Sequence, residues 1–259
     1  MSAIQTVVVG GVKTKRLSRQ DMILSMAEDC VKAREKNGPC KLVFDLNGHG
    51  LALSRWNDAY RRDLSEADII HADGQAVVLA SRLLTRSPIP ERSATSDLFH
   101  DAAAYAARNG CRFYLLGGTE EVNARCEIVM KKLYPELEIV GRRDGFFIEA
   151  DEACLCENIN RLNVDVLWVG LGKPKEQAFC VRNKHRLNVG WAVTCGGCFN
   201  YVVGEYPRAP QWMQNAGLEW LHRLATRPRQ MLWRYLTTNP VAMYMLLTRT
   251  RTTVIDANI

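Results

Sequence analysis

Short apolar runs alternate along the chain with longer stretches of helical periodicity. Lys41-Leu-Val-Phe-Asp-Leu46 reads as a buried strand, and residues 68–71, 111–116, 137–140, 165–170 and 190–195 read as five more. Helical patterns fill the spaces between them. Ser18 can cap a helix to about Lys36 that stops at Asn37-Gly38. Others are expected over 75–86, from Thr95 or Ser96 to Arg108, and over 120–133, 151–162 and 175–185. Strands separated by helices of this length build βαβ units, so the expected fold is α/β with a mostly parallel sheet. Ligands on such sheets bind beyond the carboxyl ends of the strands, where the strand order changes direction. The segments to inspect are therefore Asn47-Gly-His-Gly50, Ala72-Asp-Gly-Gln75, Gly117-Gly-Thr119, Gly170-Leu-Gly-Lys-Pro-Lys175 and Cys195–Asn200.

After Tyr206 the pattern changes. Arg208-Ala-Pro opens an amphipathic helix carrying Trp212, Met213, Leu218, Trp220, Leu221 and Leu224. Arg227-Pro-Arg229 breaks it, and a second helix carries Met231, Leu232, Trp233, Tyr235 and Leu236. Aromatic residues beside arginines suit a membrane-interface helix, a basic lid over a phosphate, or a core-packed helix with a solvated arginine face. The expected division is residues 1–204 as the α/β domain and 205–259 as a basic helical appendage.

Composition is that of a folded protein, with 47% hydrophobic and 24% charged residues in a chain of 259. The net charge of +6 is informative through its placement: between Tyr206 and Ile255 there are seven arginines, no lysine and one acid, Glu219. This window accounts for the whole excess and points to an anionic partner, whether phosphate, nucleic acid or lipid surface. Nine cysteines, an odd number, scattered through helices and strands, read as reduced thiols. Cys195-Gly-Gly-Cys198 lacks the second ligand pair of a zinc site. No run approaches the roughly 18 apolar residues of a membrane span, and Met1–Gly11 lacks the form of a secretory signal.

Several residues could carry chemistry. Asp73 follows a strand and precedes a helix, a position for a general base, although on position alone a helix cap is the commoner role. Arg92, beside Glu91, can hold a diphosphate or make a surface ion pair. Gly117 and Gly118 could offer backbone N–H groups to an anion. Gly170 and Gly172 permit close backbone approach to a ligand, Lys175 adds charge at a helix start, and Glu176 or Gln177 could bond sugar hydroxyls. Neither G-x-G-x-x-G nor a P-loop is present.

These pieces, taken in order, resemble the WecG/TagA/CpsF glycosyltransferases, glycosyltransferase family 26. The resemblance covers nearly the whole chain. It rests on Ala72-Asp-Gly74, Glu91-Arg92 with Ser96-Asp-Leu98, Tyr114-Leu-Leu-Gly-Gly118, Asp144-Gly-Phe-Phe147, Val169-Gly-Leu-Gly-Lys-Pro-Lys175, Arg208-Ala-Pro-Gln-Trp-Met213, Gly217-Leu-Glu-Trp-Leu-His-Arg-Leu224 and Arg227-Pro-Arg229. The resemblance implies a Rossmann-like fold with a membrane-contacting C-terminal appendage that helps close the active site. It implies an inverting enzyme without metal or cofactor, moving a sugar from a UDP-sugar onto an undecaprenyl-diphosphate-linked sugar at the cytoplasmic membrane face. It also permits a homo-oligomer. By the same resemblance Asp73 is the general base, Arg92 acts near the diphosphate, and Asn47 belongs to the family's Thr-x-Asn. Arg208, Arg223, Arg227, Arg229 and Arg234 then lie in the appendage, where some neutralise a diphosphate.

Three positions depart from the family pattern and bear on the donor sugar. Asp45 stands where the family has threonine, Lys175-Glu176-Gln177 swaps its Lys-Gln-Glu, and Asn200 replaces aspartate in Phe-Asp. With Asn47-Gly-His-Gly50 they are similar to the exopolysaccharide branch of xanthan or acetan type, which implies UDP-glucose, a glucosyl-diphospho-undecaprenol acceptor and a β-1,4 linkage. The alternative is N-acetylmannosamine, or its uronic acid, moved onto N-acetylglucosaminyl-diphospho-undecaprenol. Two other classes remain open. A soluble nucleotide-sugar or dinucleotide enzyme is disfavoured by the missing G-x-G-x-x-G. A nucleic-acid-binding module would leave Trp220, Leu221 and Trp233 in water, so no nucleic-acid partner is expected.

Overall fold

A computed structural model describes residues 5–35 and 39–252. It opens with a hairpin the hydrophobic pattern does not predict, β1 (Thr6–Val9) and β2 (Val12–Lys15). Gly10 and Gly11 both have positive φ, as a tight two-residue hairpin turn requires, and Val9 faces Val12 across it. Helix α1 (Arg19–Arg34) starts at a capping box in which Ser18 and Asp21 bond each other's backbone N–H. Its expected stop at Asn37-Gly38 lies outside the described residues.

Next come β3 (Lys41–Leu46), α2 (Gly48–Trp56), α3 (Asp58–Ser65), β4 (Ile69–Ala72), α4 (Gln75–Leu84) and α5 (Thr95–Asn109). Helices α2 and α3 are additional to the sequence reading; Asn47 and Asn57 cap them through side-chain oxygens. Then follow β5 (Arg112–Gly117), α6 (Glu120–Leu133), β6 (Glu138–Arg143), α7 (Glu152–Arg161), β7 (Val166–Gly170), α8 (Lys175–Asn183), β8 (Trp191–Thr194) and α9 (Cys198–Val202). The six expected strands are all present. They form one sheet in the order β4-β3-β8-β7-β5-β6, and every neighbouring pair is parallel.

Alternation within the strands feeds two cores, one on each sheet face. Leu42, Phe44 and Leu46 of β3 point to one with Leu167 and Val169 of β7. Val43, Phe113, Trp168 and Trp191 point to the other, against α1, α5 and α6. A strand buried on both faces is apolar throughout, which is why the buried runs were legible.

The C-terminal segment is divided more finely than expected. The single helix read over 208–224 is two, α10 (Gln211–Asn215) and α11 (Glu219–Thr226), separated at Gly217, which has positive φ. Arg227-Pro228 ends α11 as expected, and α12 (Pro228–Thr248) follows with Pro228 in its first turn. Helix α12 packs along α2, and its Ala242, Met245 and Leu246 belong to the first core. Strand β9 (Arg251–Thr252) pairs with β1, so a small antiparallel sheet joins the two ends of the described chain. No helix among the described residues is long and apolar enough to cross a membrane.

Candidate active site

The carboxyl ends of β3, β4, β7 and β8 converge on a cavity of about 300 Å³. Its walls include Asp45, Asn47, His49, Asp73, Lys173, Glu176 and Cys195–Cys198 from the sheet side, and Arg223, Arg227 and Arg234 from the C-terminal helices. This is the position that the parallel topology predicts.

Asp73 sits deep in this cavity. Its N–H and that of Gly74 both bond the carbonyl of Leu46, which holds the end of β4 against the end of β3. Asp73 does not cap α4, whose N-cap is Gly74. Instead Asp73 Oδ1 accepts the backbone N–H of Thr95 at 2.9 Å, at the start of α5. Asp73 Oδ2 accepts from Asn47 Nδ2 at 3.0 Å. Burial alone would raise the Asp73 carboxyl, but the Arg92 guanidinium, the Asn47 bond and the Thr95 N–H outweigh it and hold the group well below the usual carboxylate range. Asp73 is thus ionised and oriented, with lone pairs left to accept a further proton donor.

Asn47 also donates to Asp45 Oδ2 at 3.1 Å, while its own oxygen caps α2. Asp45 is consumed by the protein: Lys173 Nζ lies 2.5 Å from its carboxylate and Thr194 Oγ1 3.2 Å away. Asp45 therefore positions its neighbours rather than binding a ligand directly. The attraction of Asp45 overcomes the burial of Lys173 and raises the ammonium above its ordinary range, so the cation persists in the interior.

Glu176 Oε2 accepts the N–H groups of Gly172 and Gly196, each at 3.0 Å, and so ties the loops after β7 and β8 together. Burial pushes its carboxyl up to about 7 against the opposing charge of Lys173. His49, near Arg234 and Lys173, is driven down to about 3, first by burial and then by those cations. It is a neutral imidazole at neutral pH.

Arg92 makes no surface pair with Glu91, which instead accepts the N–H of Arg19. Arg92 Nε donates to the Asp73 carbonyl at 2.7 Å, and Nη2 reaches Glu219 at 2.6 Å with both side chains largely buried. Arg223 also pairs with Glu219 and lies over the Tyr201 ring; Arg227 lies over the Tyr206 ring with its guanidinium carbon 3.5 Å from the centroid. The Nε atoms of Arg227 and Arg234 are buried without a hydrogen-bond partner, and no carboxylate forms an ion pair with either residue among the described residues. Both side chains line the cavity, and cations there without a carboxylate partner suit an anionic ligand.

Other expected site residues lie elsewhere. Gly117 and Gly118 are spent on packing: the Gly118 N–H bonds the Gly170 carbonyl, and a Cβ on Gly117 would come within 2.2 Å of that oxygen. They leave no anion nest. Gly170 is likewise packed against Gly196 and Phe199, whereas Gly172 does line the cavity. Lys175 is exposed on the outer face of α8. Gln177 is fully buried beside Glu176 and away from the cavity, and Asn200 bonds Glu205. Arg208 anchors Asp97 and Gln214, and Arg229 points to solvent.

The sequence reading missed Lys173, His49, Glu219 and the two tyrosines. Lys173 was inside the segment singled out after β7, but the charge that matters is the one before the helix starts. Glu219 was visible as the lone acid of the arginine-rich window. The tyrosines gave no periodic signal.

Residues 7–254 match the model of the "Glycosyl transferase WecG/TagA/CpsF family". The N-acetylglucosaminyldiphosphoundecaprenol N-acetyl-beta-D-mannosaminyltransferase of Bacillus subtilis (strain 168) is 31% identical over 183 residues, 71% of this chain and 69% of its own. The protein of the same name from Bacillus spizizenii is 32% identical over 184 residues, 71% and 70% of the two chains. A match of this extent, on a parallel α/β fold with its charged cavity at the strand ends, places the chain in the WecG/TagA/CpsF family, as a glycosyltransferase that moves a hexosyl unit.

Proposed function

We propose that this chain is an inverting transferase that moves N-acetylmannosamine from its UDP derivative onto N-acetylglucosaminyl-diphospho-undecaprenol. The observation that carries the reading is one cavity holding an ionised, oriented Asp73 opposite Arg223, Arg227 and Arg234. Asp73 takes the proton from the acceptor hydroxyl as that oxygen attacks C1 of the donor sugar. The C1–O bond to the diphosphate breaks with its electron pair, and Arg223 and Arg227 stabilise the departing UDP. The choice of sugars follows the relatives' named activity.

A second reading, glucose from UDP-glucose onto glucosyl-diphospho-undecaprenol, is favoured by one feature of the cavity. Around Asp45 the wall is Lys173 and Glu176, both polar. Such a wall suits sugar hydroxyls better than an acetamido methyl.

The chain acts as a peripheral protein on the cytoplasmic membrane face. Trp212, Trp233, Leu221 and Leu236 are exposed on the C-terminal helices beside the exposed Arg229, a combination suited to an anionic interface.

The test offers the purified protein each donor with each lipid acceptor, with EDTA present, and reads the lipid-linked disaccharide by mass. N-acetylmannosamine transfer onto the N-acetylglucosaminyl lipid is expected. Glucose transfer onto the glucosyl lipid would replace the first reading with the second. No transfer by folded protein from either pair would overturn both.

A further inference from the structure

Beside the charged cavity lies a larger one of about 700 Å³, within the roughly 300–1,000 Å³ typical of small-molecule sites. The two share Asn47, His49, Asp73, Arg92, Arg223 and Arg234, so they adjoin along that wall. Their chemistry is opposite. Beyond Arg223 and Arg234 the second cavity is lined by Trp220, Leu224, Leu232, Leu236, Met243 and Leu246, with Ala76 of α4 on the facing side.

One face of α12 supplies much of this wall. From Leu232 to Leu246 it runs roughly 21 Å at 1.5 Å per residue. Leu236 and Met243 are 61% and 55% exposed although they line the cavity, so the wall is open to the outside along part of its length. Arg234 lies on the same helix between Leu232 and Leu236 and borders both cavities. The site therefore has a cationic end and an apolar trough leading away from it.

We propose that this trough holds the first isoprenoid units of the acceptor's own lipid, with the acceptor diphosphate at Arg234; the proposal rests on the polyprenyl-diphosphate acceptor of the preceding reading. The ligand class is a prenyl diphosphate. Its tail follows α12 from Arg234 towards Leu246, between α4 and α11. The anion meets the Arg234 side chain, which borders both cavities and pairs with no carboxylate among the described residues. The junction also borders Asp73, so a lipid seated this way delivers its sugar to the base.

Calorimetric titration of the full chain, without detergent, tests this with inorganic pyrophosphate and with isopentenyl, geranyl and farnesyl diphosphates, none of which carries a sugar. Affinity is expected to rise on the order of tenfold per isoprene unit, as apolar surface leaves water. Ala76→Trp, which fills the trough from an exposed helix position, and Met243→Asp should flatten that rise while UDP affinity stays unchanged. Equal affinity for all four probes, or variants that keep the full chain-length dependence, would overturn the proposal. Prenyl-length-dependent binding without sugar transfer would support the trough and sink the transferase reading. Sugar transfer with length-independent affinity would do the reverse.

Discussion

Arg92 and Glu219, 127 residues apart in sequence, form an ion pair of 2.6 Å whose side chains are 15% and 13% exposed. The other end of Arg92 bonds the Asp73 carbonyl. The C-terminal helices are thereby latched to the loop that carries the proposed base. Glu219→Ala should release the latch, and limited proteolysis of the 203–218 segment should run faster than in the parent protein. Unchanged cleavage would show that the pair does not hold the helices.

Asp73→Asn keeps an oxygen for the Thr95 N–H but cannot take a proton. UDP binding should persist and turnover should fall by roughly 10²–10⁴-fold, the usual scale for a general base. Single-turnover kinetics with lipid acceptor would check it, and parent-like rates would remove Asp73 from the mechanism.

Lys173 and Asp45 are both almost fully buried, at 7% and 6% side-chain exposure. Lys173→Met leaves an uncompensated carboxylate and should cost about 3–5 kcal/mol. Adding Asp45→Asn should recover part of that loss. Denaturant midpoints of the single and double variants measure the coupling; additive losses would mean the pair is not an energetic unit.

His49 binds its proton at about 3 in the folded chain, against an ordinary value of 6.5. A depressed folded value means that the unfolded chain takes up the proton first. The stability contribution is therefore complete above pH 6.5 and drains away as the pH falls towards 3. His49→Gln should reduce the drop in thermal midpoint between pH 7 and pH 4. An identical drop in both proteins would show that His49 is not the group responsible.

Arg227 and Arg234 line the cavity, and neither pairs with a carboxylate among the described residues. Replacing either by alanine should weaken UDP or prenyl diphosphate binding roughly tenfold to a hundredfold, the scale of a hydrogen bond to a charged group. Arg229→Ala, on an exposed side chain outside the cavity, is the matched control. If all three variants bind alike, the two arginines do not contact the anion.

The parallel sheet was legible from the sequence because strands buried on both faces are apolar without interruption and sit between amphipathic helices. Ser18 marked a helix start through local hydrogen bonds, and the loops after the strands were the right place to look. Local signals of this kind depend only on neighbours in the chain. Strand β9 escaped because its pairing with β1 joins residues some 240 positions apart. The β1–β2 hairpin is local, but its second strand, Val-Lys-Thr-Lys, carries no apolar run to mark it. The same limit governed the site. Asp73 read as a possible cap for the helix that follows it, yet it meets the N-terminus of another helix, 22 residues on. Gly117 and Gly118 read as an anion nest until Gly170 took their bonds. Lys173 and Lys175 are indistinguishable as letters; only the turn between β7 and α8 sends one into the interior and the other into water. The sequence by itself determined the layers, the strand ends and the family. Which charged groups face each other, and where an arginine is left without a carboxylate, was decided by tertiary packing, because charge pairing depends on distance through space and not along the chain.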